Sequence, residues 1–139
     1  MEYIVNYRIN EMFIKNSNLK EIDLLFDVCK SVCKDILPDC IGTGFFLKIM
    51  KKNKPFKCLI TCEHIIKRQM IDSKIKVLIY YNNQEDYFKI NLNESERFIR
   101  SFKYLNIDST VIEIIEKHNI DDKYFLHPNL DYINGYKQF

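Results

Sequence analysis

The chain of 139 residues is long enough for one compact domain and too short for two full ones. Its 47% hydrophobic content, with only three Gly and three Pro, excludes a disordered or low-complexity chain. The net charge of +2, from 21 basic and 19 acidic residues, leaves no basic footprint of the kind that holds nucleic acid or a membrane surface.

Ten Phe and nine Tyr with no Trp favour a β-containing core. The segment Met1–Arg8 is too short and too broken by polar residues for a secretory signal, and no apolar run approaches transmembrane length. The five cysteines, at positions 29, 33, 40, 58 and 62, are odd in number. A cytoplasmic protein with reduced thiols is therefore expected, and the Asn93-Glu-Ser95 sequon is a chance match.

Residues 1–15 alternate loosely, as a strand or an ordered arm would. Asn16-Ser-Asn18 has N-cap character. From Leu19 to Ile36, the apolar residues Ile22, Leu25, Phe26, Cys29, Val32, Cys33 and Ile36 recur at helical spacing, which predicts an amphipathic helix ended by Pro38. The pattern then changes period. Ile41–Met50 reads as a strand, Lys51–Lys54 as a turn and Phe56–Thr61 as the returning strand, with a short helical turn over Cys62–Arg68. Lys74–Tyr81 and Tyr87–Leu92 form a second hairpin around Asn82–Asp86. Arg97–Tyr104 is extended, Thr110–Ile115 is a last strand, and 116–139 is loop-like. One helix followed by short strands and turns predicts a mainly β protein, a single six-stranded antiparallel barrel over 38–139 preceded by an N-terminal arm and helix over 1–37.

Two residues stand out for chemistry. His64 lies just past the apolar strand Phe56–Thr61, where a scaffold can hold a side chain and still expose it. Asp108 is the one carboxylate between Ser101 and Val111, at the entrance of the last strand, where it needs a donor. A histidine Nδ1–H would serve and would fix the imidazole tautomer. The bland alternatives are a structural histidine and an aspartate that caps its own turn through the Ser109 or Thr110 amides.

Gly42-Thr-Gly-Phe-Phe46, Leu59-Ile-Thr-Cys-Glu-His-Ile-Ile66 and Asp108-Ser-Thr-Val-Ile-Glu-Ile114 together resemble the N-terminal half of the trypsin/chymotrypsin-like serine protease family, closest to its microbial and intracellular branch. His64 and Asp108 are 44 residues apart, against about 45 in the family's order of His, Asp, Ser. The resemblance covers residues 40–115 and implies that His64 is the general base and Asp108 its orienting carboxylate. It makes Thr43, Gly44 and Phe45 structural residues of the barrel. Ile65 stands where secreted members have a cysteine, so their loop-closing disulfide is not implied. The family's nucleophile follows about 90 residues after the Asp on a second barrel, and no Gly-x-Ser-Gly occurs in these 139 residues. Ser109 adjoins Asp108 and cannot replace it, and Ser17, Ser31, Ser73, Ser95 and Ser101 have no oxyanion-hole context.

The resemblance thus implies a serine endopeptidase half-site, inactive alone, that acts on a peptide or protein or is covered by a protein on its inter-barrel face. A non-catalytic β-barrel binding module, a pseudoprotease, is the alternative. Both predict an exposed apolar surface beside His64 and Asp108, and self-association of the chain alone.

Cys58-x3-Cys62-x-His64 could hold zinc, but a strand and its end are no knuckle, so neither a metal nor a cofactor is expected. A cysteine nucleophile, Cys40 or Cys62 beside His64, is a minor option that meets the same second-barrel objection. Cys29 and Cys33 read as small core residues. Lys48, Lys51, Lys52, Lys54 and Lys57, flanked only by Phe46 and Phe56, read as a solvated face, not a nucleic-acid site.

Overall fold

The computed structural model describes residue 25 and residues 28–128 of the chain. Seven antiparallel strands dominate it: β1 (Val32–Ile36), β2 (Ile41–Lys51), β3 (Lys54–Thr61), β4 (Lys76–Tyr81), β5 (Asp86–Asn91), β6 (Ile99–Ser101) and β7 (Thr110–Glu113). They make one sheet in the order β5-β4-β1-β2-β3-β7-β6. A single-turn helix spans Arg68–Asp72, and three 3-10 turns span Lys103–Leu105, Glu116–His118 and Asp122–Tyr124.

The sheet curls, and its connectivity requires that. The strands β5 and β6 lie at opposite ends of the order, yet only residues 92–98 join them. Seven flat strands would spread their outer members roughly 29 Å apart. The connection could span that only if nearly fully extended, at about 3.3–3.6 Å per residue. It is not extended, because Glu96 N–H donates back to Asn93 O at 3.1 Å. Curling brings the ends together and turns one face of the sheet inward.

That inner face is the core. Phe46, Leu59, Val77, Ile79, Ile90 and Ile112 are fully buried on the strands, with Leu92 just past β5 continuing the alternation from Ile90. Each such side chain contributes about 1.5–3 kcal/mol on burial. The exposed ion pair Lys48–Asp122, at 2.9 Å, contributes at most about 1 kcal/mol. The apolar inner face therefore decides stability. The β2–β3 hairpin turns through Lys52 and Asn53, both at positive φ (50° and 62°), the arrangement that matches the strand twist.

The structure differs from the sequence expectations at both flanks. Helical spacing extends the predicted helix to Ile36. Helical residues are present at 25 and 28–30, but Val32–Ile36 is strand, flanked by β2 and β4. The sheet therefore begins at residue 32, six residues before the predicted boundary. The cause is that Cys33 and Asp35 are buried at period two, and tertiary pairing on two sides outweighs the helical spacing of Cys29, Val32, Cys33 and Ile36. Residues 1–24 of the predicted arm and helix lie outside the described residues.

At the other flank, the expected loop after Glu116 is built into the fold. Where β1 stops pairing at Phe45, the β2 edge continues, and Leu126 takes it up. Leu126 N–H donates to Phe46 O at 2.9 Å, and Lys48 N–H to Leu126 O at 2.9 Å. Phe125 sets its ring 5.3 Å from that of Phe46, and Tyr124 lies 5.1 Å from Tyr81. The expected extended segment Arg97–Tyr104 is shorter: β6 holds three residues, and Lys103–Leu105 is a 3-10 turn.

Candidate functional site

Thr61, the last residue of β3, pairs with Thr110, the first residue of β7. The chain leaves the sheet at both points, and the two departing segments carry His64 and Asp108. The first is a tight turn: Cys62 O accepts from Ile65 N–H and Ile66 N–H, both at 3.1 Å. The second follows the 3-10 turn Lys103–Leu105, which Asn106 ends in the left-handed region at φ 57°. Phe102 N–H then donates to Ser109 O at 2.9 Å, which fixes the segment. Thr110 Oγ1 donates to Ile66 O at 2.9 Å and ties the two segments together beneath the site.

Asp108 engages His64 through both oxygens. Oδ1 accepts the His64 backbone N–H at 2.9 Å, and Oδ2 lies 2.6 Å from Nδ1. Asp108 holds an ordinary carboxylate's charge more readily than usual: the backbone N–H of His64 lowers its pKa most, and the ring contact next. The arrangement sets His64 as the Nδ1–H tautomer, with Nε2 unpartnered among the described residues. Both side chains are open, 63% for His64 and 55% for Asp108. Asp108 is thus not the buried charge that its apolar surroundings in sequence suggest. Tyr104, Leu105 and Ile107, just before it, are also exposed.

Beneath the site lies a second polar group. Asp35 on β1 is fully buried. The Thr61 hydroxyl donates to its Oδ2 at 2.5 Å, and the Cys33 thiol lies 3.7 Å from Oδ1. Burial raises the Asp35 pKa, against the pull of both contacts. The Thr61 hydroxyl also lies 3.2 Å from the Thr43 carbonyl, so the strand end that carries His64 is anchored to β1 and β2. Sequence reading places Asp35 on a helix and so misses it; its burial follows a period of two that only the folded strand Val32–Ile36 shows.

The resemblance makes Thr43, Gly44 and Phe45 barrel residues. Thr43 contributes its carbonyl. A Cβ on Gly44 would stand 2.8 Å from Leu59 Cδ1 and 2.9 Å from Ile60 O, so the strands approach there too closely for any side chain. Phe45 faces outward, and the core anchor is its neighbour Phe46. Ile65 packs over Gly42, whose added Cβ would meet its Cγ2 at 2.5 Å. Among the described serines none contacts His64; Ser109, next to Asp108, uses its amide on Ile107 O.

The cysteines divide. Burial raises Cys33, which lies in the core, and pushes Cys58, buried on the opposite face of β3 from Leu59, up to about 11. Cys58 is therefore no partner for His64. Cys40 Sγ sits 4.0 Å from Ile65 O, and Cys29 is exposed. Cys62 alone stands with the pair: one ligand atom each from Cys62, His64 and Asp108 lie within 4.8 Å of one another. No family model, curated protein or solved structure matches the chain. None of the described helices is long and apolar enough to cross a membrane.

Proposed function

We propose that this sheet is the first barrel of a trypsin-like serine peptidase site, with His64 as general base and Asp108 as its orienting carboxylate. The carrying observation is that one carboxylate holds both the backbone N–H and Nδ1 of His64. Held so, the imidazole offers the Nε2 lone pair to a hydroxyl, and Asp108 faces the imidazolium that forms on proton transfer. In this reading β5 and β6 are one barrel strand interrupted by the turn at 93–96, which makes the seven strands a six-stranded barrel. The nucleophile and oxyanion donors come from a second barrel or partner surface laid over the pair, since Gly-x-Ser-Gly does not occur here. The substrate is a peptide or protein.

The expected outcome is that residues 1–139 alone neither hydrolyse peptide esters nor label with a serine-directed phosphonate, because loss of the nucleophile and the hole removes nearly all rate enhancement. Robust labelling that His64→Ala abolishes would overturn the half-site reading.

A second reading, a non-catalytic β-barrel module that binds a protein through this face, is favoured by the exposed Tyr104 (69%), Leu105 (54%) and Ile107 (51%) beside Asp108. It shares the expected silence toward phosphonate but needs neither His64 nor Asp108 for binding, so partner capture that survives His64→Ala with Asp108→Asn would favour it.

A further inference from the structure

We propose that Cys62, His64 and Asp108 form a binding site for a single thiophilic divalent cation, zinc in the first instance, and that the bound ion silences His64 as a base. Only the second part rests on the function proposed above. The first rests on the cluster itself: a thiol, an imidazole and a carboxylate whose ligand atoms lie within 4.8 Å of one another, with His64 and Asp108 more than half exposed and Cys62 partly so. Three protein ligands with solvent access match the donor set and count of an open zinc site, where water takes the fourth position.

The donor chemistry selects the metal. One carboxylate without supporting carbonyls is a poor cage for calcium or magnesium, whereas thiolate and imidazole favour zinc and cobalt. The backbone is already in place. The Cys62 carbonyl is held by two amides, the His64 amide by Asp108, and the Asp108 segment by the Phe102–Ser109 bond. The adjustment needed is local. Nδ1 and Oδ2 are 2.6 Å apart, a hydrogen-bond distance. Two ligands of a tetrahedral zinc with bonds of about 2.0–2.1 Å stand roughly 3.3 Å apart. Two exposed side chains can part by that much through small rotations, and the ion then occupies the place of the proton they share.

The proton balance follows. Cys62 loses its thiol proton to solvent on binding. The imidazole stays neutral, but with Nδ1 on the metal its proton moves to Nε2, which becomes a donor and can no longer accept. Cys58, four residues upstream and buried, is excluded from the set although its spacing in sequence suggests it.

The test uses the full chain, reduced and metal-free, titrated with cobalt and then with zinc. The expected result is one cobalt per chain with a near-ultraviolet thiolate-to-cobalt band that one equivalent of zinc bleaches. Cys62→Ser abolishes the band and weakens zinc at least ~10-fold, His64→Gln and Asp108→Asn each weaken zinc by ~10-fold or more, and a chain with Cys29→Ser and Cys40→Ser keeps the band. Far-ultraviolet circular dichroism confirms that each variant is folded. Absence of the band in the native chain, its survival in Cys62→Ser, its loss in the Cys29/Cys40 variant, or zinc affinity indifferent to Asp108→Asn would each overturn the site. The readout needs no catalysis, so its failure leaves the proton-relay reading standing. Failure of that reading, seen as loss of the Nδ1–H tautomer in the metal-free chain, leaves the metal site standing.

Discussion

The two described histidines that touch the ends of β7 meet opposite charges. His64, at the start of that strand, faces a carboxylate in the open. His118, past its end, is half buried against Phe88, with ring centroids 4.9 Å apart, and faces a guanidinium, Arg97 Nη2 lying 3.1 Å from Nε2. A guanidinium only donates, so His118 Nε2 must accept, and the ring is neutral with its proton on Nδ1. Burial, and then the charge of Arg97, push its pKa down to about 4. Arg97 itself is buried, spends Nη1 on Glu113 O at 3.1 Å, and leaves Nε without a partner among the described residues. One ring lies against a negative partner in the open, the other against a positive partner that disfavours its charged form. The same residue type thus serves as a candidate base at one end of the strand and as a structural acceptor at the other, and only the partner and the exposure distinguish them.

The largest expected effect breaks the support of the first pair and leaves the second alone. Gly44 sits opposite Thr61 in the β2–β3 register, where an added Cβ would stand 2.9 Å from the Ile60 carbonyl. A flexible side chain can move aside, but a backbone oxygen held in a ladder cannot. Gly44→Ala is expected to cost about 2–3 kcal/mol in denaturant unfolding. It should also broaden the His64 ring resonances while those of His118 keep their positions. Equal disturbance of both rings would mean that the two sites are one cooperative unit.

The intermediate effect concerns the second pair and pH. The folded-state pKa of His118 is about 4, below the ordinary 6.5. A histidine depressed in this way stabilises the fold fully above the unfolded value, and that contribution is lost as pH falls from about 6.5 toward 4, because the unfolded chain takes up the proton first. Allowing for solvent screening of a half-exposed ring, the loss is on the order of 1 kcal/mol. His118→Gln keeps an acceptor for Arg97 and removes the titration. Its unfolding free energy should be flatter than that of the native chain across that window. An unchanged acid limb would show that His118 is not the group responsible.

The sequence carried the inner sheet well, because alternation and β-branched runs are local signals. The strands β2, β3, β4 and β5 begin and end within two residues of their expected limits. It failed at Val32–Ile36, where the spacing of Cys33 and Ile36 fits a helical face while the observed burial of Cys33 and Asp35 follows a period of two. There the choice is made by pairing with β2 and β4, up to 46 residues away (Lys34 with Tyr80), which no local window holds. The pair His64 and Asp108 was legible through motif order and a separation of 44 residues, and the contact between them is in place. Asp35 beneath it, Arg97 against His118, and Cys62 with Asp108 were not legible, since each is a contact between segments whose proximity depends on the curl of the sheet. In particular, spacing pointed to Cys58 as the companion of Cys62, whereas Cys58 is buried within β3 and Asp108 arrives from the segment before β7.

The smallest effect on stability is the sharpest on chemistry. In Asp108→Asn the side-chain oxygen can still accept the His64 amide, as Oδ1 does now at 2.9 Å. The amide nitrogen then faces Nδ1 and can only donate to it, so the ring proton must move to Nε2. Both groups are open to solvent, so the thermal midpoint should hardly move. The ring nitrogen shifts of His64, measured on the neutral form, should nevertheless report a change from the Nδ1–H to the Nε2–H tautomer, while those of His118 stay fixed. If the native chain already carries its proton on Nε2, or if the variant leaves the tautomer unchanged, Asp108 is a neighbour of His64 and not its orienter. The contrast between the two ends of β7 would then reduce to exposure alone.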